Sequence, residues 1–242
     1  MITCITSVSR ESDLLPHFVA HYLLAGVDNF VIALNDTRPG TREELEQRIA
    51  ELDGVPIRVV PASPRWRETG VEGANKEETR ALHLDTATEW VVYADLDEFV
   101  VTPDGGFTEL VRAARADGWL WAPGELVDRV AADGSLAELL PDVPLEEQYP
   151  VRAHVTRDVC RANCGKVPLA HRRLEIRSGH HGVFDDAQPQ APVTLEVAHY
   201  KWRAGVVEAI ERRVALYEQR GLLARAADSV RFLEHYREHG RI

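Results

Sequence analysis

Apolar positions along the first half of the chain fall into two rhythms. Short, nearly unbroken runs, ITCITSV at 2–8, FVIAL at 30–34, 57–60 and WVVYA at 90–94, read as buried strands, rich as they are in β-branched and aromatic side chains. Between the first two, Leu14, Phe18 and Tyr22, and likewise Leu15, Val19 and Leu23, recur every four positions and predict one broad apolar helix face. Asp13 stands where a cap would, Pro16 falls in the first turn, where its missing N–H costs little, and Gly26 supplies a stop. Thr41-Arg-Glu-Glu44 has the form of a capping box for a second helix holding Leu45, Ile49 and Leu52, with Gly54 after it. A polar loop then leads to a helical stretch at about 76–87, and a further helix (107–116) and strand (WLWA, 119–122) follow WVVYA. Strands alternating with helices at this interval predict an α/β fold: a mixed sheet with helices on both faces.

Beyond Pro123 the alternation fails. Residues 124–198 carry Pro141, Pro144, Pro150 and Pro168 and only short β-like runs, LEIRS and VTLEVAHY. The last forty residues return to helix: Val206, Val207, Ile210, Val214 and Tyr217 line one face, and Val230, Leu233 and Tyr236 line a second. The expected organisation is one domain over 1–242, with an α/β half at 1–123, an irregular segment at 124–204 and a helical hairpin at 205–242.

Composition narrows the function. With 242 residues, 45% hydrophobic and 28% charged, the chain has a globular balance and length enough for a core without staples. A formal net charge of −11 argues against nucleic acid or an anionic membrane as partner. Three cysteines, Cys4, Cys160 and Cys164, are too few and odd in number for a disulfide framework and suit a reducing compartment; Cys160 and Cys164 could lie one helical turn apart. The N-terminus lacks the basic and apolar regions of a signal peptide, and no stretch reaches the roughly 18 continuous apolar residues of a membrane span. The expectation is a soluble, cytoplasmic protein with no integral membrane segment.

The chemistry concentrates in WVVYADLDEFVV (90–101), where an apolar strand runs into Asp95, Asp97 and Glu98. In open α/β sheets, ligands gather at the carboxyl ends of the strands. Residues two apart on an extended segment share a face, so Asp95 and Asp97 could meet one ion. Hard oxygen ligands without a thiolate favour Mg²⁺ or Mn²⁺. The plainer alternative is that an aspartate caps the next turn and Glu98 is solvated.

ITSVSRESDLLPHFVAHYLLAGVDNFVIALNDT, WVVYADLDEFVV, GHHGV (179–183) and AHYKW (198–202) together resemble nucleotide-sugar glycosyltransferases of the GT-A fold, family 2 and its relatives, in a subgroup with a D-x-D-E-F motif. The likeness covers most of the chain, firmly to about residue 101. It implies a nucleotide-binding first half and transfer of a sugar from a nucleoside diphosphate sugar to an acceptor glycan, small molecule or protein, with inversion and with Mn²⁺ or Mg²⁺ holding the diphosphate. Carried over by residue, Asp97 would ligate the metal, Asp95 would contact the ribose or metal, and His199 would complete the metal shell. Glu11 would face the nucleoside with Asn35 and Asp36 beside it, and Lys76 could reach nucleotide or phosphate.

An inverting transferase needs a base for the acceptor hydroxyl. Glu125 and Asp128, three apart in GELVDRV, would face one site if that turn is helical, although Asp128 could instead pair with Arg129 or Arg152. His180 and His181, between Gly179 and Gly182, are further candidates. His17 and His21, four apart, are expected at a helix surface. Arg65-Trp66-Arg67 and Lys201-Trp202-Arg203 could form platforms for a diphosphate and a ring, or ordinary surface; Lys166 is a ligand contact or an exposed turn. Two rival functions stand. One is a non-catalytic protein that binds a nucleotide sugar or divalent ion; the other is a haloacid-dehalogenase-type phosphatase, in which the first aspartate of D-x-D is the nucleophile. Glycine-rich nucleotide loops are absent from the sequence.

Overall fold

The computed structural model describes residues 1–8, 12–34, 40–61 and 88–242. Glu11, Asn35, Asp36 and Lys76, the Arg65–Arg67 segment and the helix expected at 76–87 lie outside these residues.

The strands Ile2–Val8 (β1), Asn29–Leu34 (β2), Ile57–Pro61 (β3) and Trp90–Tyr93 (β4) form the parallel part of the sheet in the order β3-β2-β1-β4. β1 and β4 are buried along their whole length apart from one half-buried residue of β1, as parallel strands with both faces covered must be. Beyond β4 come Gly165–His171 (β8), Trp121–Val130 (β6), Leu195–His199 (β9) and Glu98–Val101 (β5), with Val151–Ala153 (β7) pairing to β6. β8 runs antiparallel to both β4 and β6, so the sheet is mixed.

Helix Leu15–Leu24 (α1) sits on this sheet through Phe18 and Tyr22, whose rings meet Phe99 and Phe107 at centroid separations of about 6 Å. Helices Thr41–Ala50 (α2) and Gly106–Asp117 (α3) complete the described helices of the first half. Two expected caps differ in position. Helix α2 begins at Thr41 behind Gly40, so Thr41 is its first helical residue rather than a capping side chain. Helix α1 starts after Leu14, and Asp13 stands outside the cap position.

The chain divides into two compact units, Met1–Glu125 with Gly165–Val197, and Leu126–Cys164 with Ala198–Ile242. The first holds the core of Ile5, Val31, Val91, Tyr93, Val167 and Ala170. The second has its own core, in which Val130, Val155, Trp202, Ile210, Phe232 and Leu233 pack together. Its helices Val206–Gln219 (α4) and Ala227–His239 (α5) are the expected C-terminal pair. Trp202 is wholly buried there against Phe232, at 4.6 Å between rings, and Arg203 is buried too, while Lys201 is half-buried with Nζ 5.1 Å from the Trp202 ring centroid, so the Trp202 ring is core and not an exposed platform.

The segment past Pro123 is more regular than its sequence suggests. WLWA does not end a strand at 122; β6 starts at Trp121 and runs on through GELVDRV to Val130. That segment is therefore extended, not helical, and an odd spacing on a strand turns Glu125 and Asp128 to opposite faces. Glu125 is exposed and Asp128 is buried. Cys160 follows a single wide helical turn, Val155–Val159, and both Cys160 and Cys164 are free thiols. Among the described residues, no helix is long and apolar enough to cross a membrane.

Candidate functional site

β4 stops at Tyr93, and the acidic residues occupy a tight turn rather than a continuing strand. The Glu98 amide donates to the Asp95 carbonyl at 2.9 Å, and the Asp95 amide donates back to Glu98 Oε2 at 3.2 Å. Leu96, buried between the aspartates, anchors the turn in the core. Asp95 and Asp97 are thus held close by turn geometry, not by the alternation of an extended chain, and both are half-buried while Glu98 is buried. Tyr22 fastens the far side: its hydroxyl donates to the Glu98 carbonyl at 2.9 Å and accepts from the Val100 amide at 3.2 Å. His21 lies beside it, half-buried as its place on the helix surface predicts, with Nε2 at 2.9 Å from the Val100 carbonyl.

Lys166 crosses to this turn from β8. Its ammonium lies 2.5 Å from Glu98 Oε1 and 3.3 Å from Asp95 Oδ2, and it donates to the Gly179 carbonyl at 2.9 Å. Burial alone would strip its proton, but Glu98 and then Asp95 outweigh that and hold the ammonium charged, well above its ordinary value. For Asp95, desolvation pushes upward, and Lys166, followed by His180, brings the carboxyl below its usual range. Three carboxylates, Asp95, Asp97 and Glu98, stand within four positions at this turn.

The SGHHG loop closes the other side. Gly179 and His180 both adopt left-handed backbone, φ 70° and 58°. A Cβ on Gly179 would come within 2.7 Å of the His181 ring, so glycine is required twice over, for conformation and for space. His181 Nδ1 lies 2.8 Å from the Gly165 carbonyl. His180 is buried against Tyr93, ring centroids 5.2 Å apart, and its Nδ1 has no hydrogen-bond partner among the described residues. Burial pushes its imidazole down to about 4, so it is neutral at pH 7.

Glu125 joins the same neighbourhood through sheet register. β6 places Gly124 opposite Lys166 and Glu125 opposite Gly165, just past an irregularity in pairing between Ala122 and Gly124. A Cβ at Gly124 would lie 2.8 Å from Pro168 Cδ and 3.0 Å from a Val197 methyl, so the strands can close here only over glycine. Asp95, Glu125 and His181, far apart in sequence, thus gather around Gly165-Lys166.

The second unit builds a separate polar centre. Asp128 Oδ2 accepts from the Thr156 amide at 2.7 Å. Its Oδ1 accepts from Thr156 Oγ1 at 2.8 Å and Trp202 Nε1 at 2.7 Å, and lies 2.8 Å from His199 Nδ1. Burial raises the carboxyl, and His199 first among these partners draws it back below the usual carboxylate range. The pairing with Arg129 or Arg152 weighed from the sequence is not the partnership described for it; its partners here are Thr156, His199 and Trp202.

Two residues that matter had little signal. For Lys166 the sequence leaves a ligand contact and an exposed turn equally open, and His180 is one candidate of a histidine pair with nothing to mark it as buried. A buried lysine facing D-x-D-E becomes visible only once β8 is paired beside β4.

No family model and no curated protein matches the chain. Among solved structures it is similar to HddC from Yersinia pseudotuberculosis, at 8% identity and TM-score 0.35 over 54% of this chain and 59% of that one. It is similar to S. aureus TarS at 10% identity and TM-score 0.40, over 89% of this chain and 39% of that one. A third is CMP:2-keto-3-deoxy-manno-octonic acid synthetase complexed with CTP, at 12% identity and TM-score 0.42, over 90% and 99%. The chain thus spans less than two thirds of the first two, and likeness at this level says nothing of what it binds.

Proposed function

We propose that this chain is a divalent-metal-dependent transferase that moves a sugar from a nucleoside diphosphate sugar to an acceptor. The observation that carries it is the acidic turn at the end of β4, which holds Asp95, Asp97 and Glu98 together. Asp97 and Glu98, adjacent at that turn, offer carboxylate oxygens to a divalent ion. Oxygen donors with one imidazole suit Mn²⁺ or Mg²⁺. Glu98 already carries the Lys166 ion pair, which favours Asp97 as the direct ligand and Glu98 as the group that steadies the turn; His199 would complete the shell, as the family resemblance implies. When bound, the metal would supply charge to offset that on a departing diphosphate.

The chain's own groups divide the remaining work. Asp95, fixed by Lys166, would orient a ribose hydroxyl or add a metal contact. Glu11, Asn35, Asp36 and Lys76 would contact the nucleotide, as the family resemblance implies. Glu125 is the base we favour for the acceptor hydroxyl, because it is the exposed carboxylate beside Gly165, whereas Asp128 is engaged by Thr156, Trp202 and His199 and His181 is tied to the Gly165 carbonyl. The test is release of nucleoside diphosphate from a panel of UDP, GDP, CDP and dTDP sugars, with and without Mn²⁺. Metal-dependent release from one donor, lost in Asp97→Ala, is expected. Release from none of them, or from one at the same rate in chelator, would rule the proposal out.

A further inference from the structure

Lys166 meets three oxygens from two segments of the first unit. Its ammonium lies 2.5 Å from Glu98 Oε1, 2.9 Å from the Gly179 carbonyl and 3.3 Å from Asp95 Oδ2, with 5% of the side chain exposed. Two carboxylate oxygens and a carbonyl around one buried cation make a hard-oxygen cradle, the donor set that Mg²⁺, Mn²⁺ and Ca²⁺ take. Here the cation is a side chain.

The cradle does not owe its shape to the lysine. Asp95 and Glu98 are held by their reciprocal bonds at 2.9 and 3.2 Å, and the Tyr22 hydroxyl fixes the Glu98 carbonyl. Gly179 is set independently, by its left-handed backbone at the tip of a hairpin. That hairpin is closed by the Ile176–Val183 bridge and by the Arg177 amide donating to the Gly182 carbonyl at 2.8 Å. The three oxygens therefore stay converged when the ammonium is withdrawn. Glu98, with 3% of its side chain exposed, and Asp95 would then face one another across the emptied position, and a buried charge left so draws in a counter-ion.

A tethered ammonium differs from a bound ion in that it cannot dissociate. It brings one charge rather than two, and it keeps these oxygens from any ion in solution. We infer that Lys166 is a specificity-determining residue: it fills a second cation position at this turn, confines divalent metal to the Asp97 side and leaves Asp95 to a ribose hydroxyl. The consequence for Asp97 and Asp95 rests on the proposed transferase reading, whereas the cradle is tested apart from it.

The experiment counts Mn²⁺ bound per chain, by loss of the free-ion signal in electron paramagnetic resonance. It is run on the full chain without substrate, as wild type, Lys166→Ala and Lys166→Ala with Glu98→Gln. Lys166→Ala is expected to bind one Mn²⁺ more than wild type, and the double variant to lose that extra ion. Mn²⁺ should also raise the melting midpoint of Lys166→Ala by more than it raises that of wild type, because the ion binds the folded chain alone. An equal count in wild type and Lys166→Ala overturns the inference. So does an extra ion that persists in the double variant, since it then sits elsewhere. If wild type binds no Mn²⁺, the proposed metal at Asp97 falls, and one ion in Lys166→Ala still supports the cradle. Should Lys166→Ala not fold alone, it is refolded in Mn²⁺: return of the native circular dichroism spectrum with the extra ion bound supports the inference, and no return overturns it.

Discussion

Nζ of Lys166 and Oε1 of Glu98 lie 2.5 Å apart with about 5% or less of either side chain exposed. Neither group has water to fall back on, so each is the other's solvent. Breaking such a pair from one side leaves an uncompensated buried charge, which costs about 3–5 kcal/mol. Lys166→Met and Glu98→Gln should each lower stability by that order in urea unfolding, whereas the double replacement Lys166→Met with Glu98→Leu should recover most of the loss. A single variant within about 1 kcal/mol of wild type would mean the pair is not desolvated as described.

Acid sensitivity should appear in a defined window. His180 is neutral when folded, pushed down to about 4 by burial, while an unfolded histidine titrates near 6.5. Between those values the unfolded chain binds more protons, so stability falls as pH drops from about 6.5 toward 4 and is fully present above 6.5. Integrated over that window the loss is about 3 kcal/mol. Unfolding midpoints measured across pH 4–7.5 should show this slope, and His180→Phe should flatten it. An unchanged slope in the variant would assign the proton uptake elsewhere.

Close strand approach gives a third expectation. Gly124 faces Pro168 and Val197 at separations where a methyl would sit 2.8–3.0 Å from their carbons. Pro168 is ring-locked and Val197 lies in a buried strand, so neither yields easily. Gly124→Ala should cost about 1–3 kcal/mol of stability, an overpacking penalty. It should also disturb the register that sets Glu125 opposite Gly165, so turnover should fall at temperatures where the variant is still folded. Wild-type stability and rate in Gly124→Ala would show that the strands have slack there.

The fold was legible in the sequence wherever one signal dominated. Strands β1, β2 and β4 are buried runs of β-branched and aromatic residues, and α1, α4 and α5 carry apolar residues every three or four positions, so pattern alone places these elements. The signal failed after Pro123. In β6 the run Gly124-Glu125-Leu126-Val127-Asp128 breaks alternation because Gly124 serves a close contact and Asp128 is buried as a hydrogen-bond hub. Both are tertiary demands with no local trace. β8 was missed for a similar reason: Lys166 and Pro168 look like a surface turn until Glu98 supplies the lysine's partner.

At the candidate site, the D-x-D-E cluster could be found by its place after a buried strand, but not its conformation. The sequence reads as an extended segment with Asp95 and Asp97 on one face. The turn that holds them depends on the reciprocal bonds between Asp95 and Glu98 and on the Tyr22 hydroxyl, 76 residues away from Glu98. His180, like Lys166, owes its character to burial, which no motif encodes.

The central claim is that Asp97 helps to hold a divalent ion that carries a nucleoside diphosphate. The direct measurement is calorimetric titration of UDP, GDP, CDP and dTDP into wild type and Asp97→Asn, each with and without Mn²⁺. One nucleotide should bind wild type at least about tenfold more tightly with Mn²⁺, about 1.4 kcal/mol, and Asp97→Asn should lose that gain. Equal affinity with and without Mn²⁺ in wild type, or an undiminished gain in Asp97→Asn, would contradict the account.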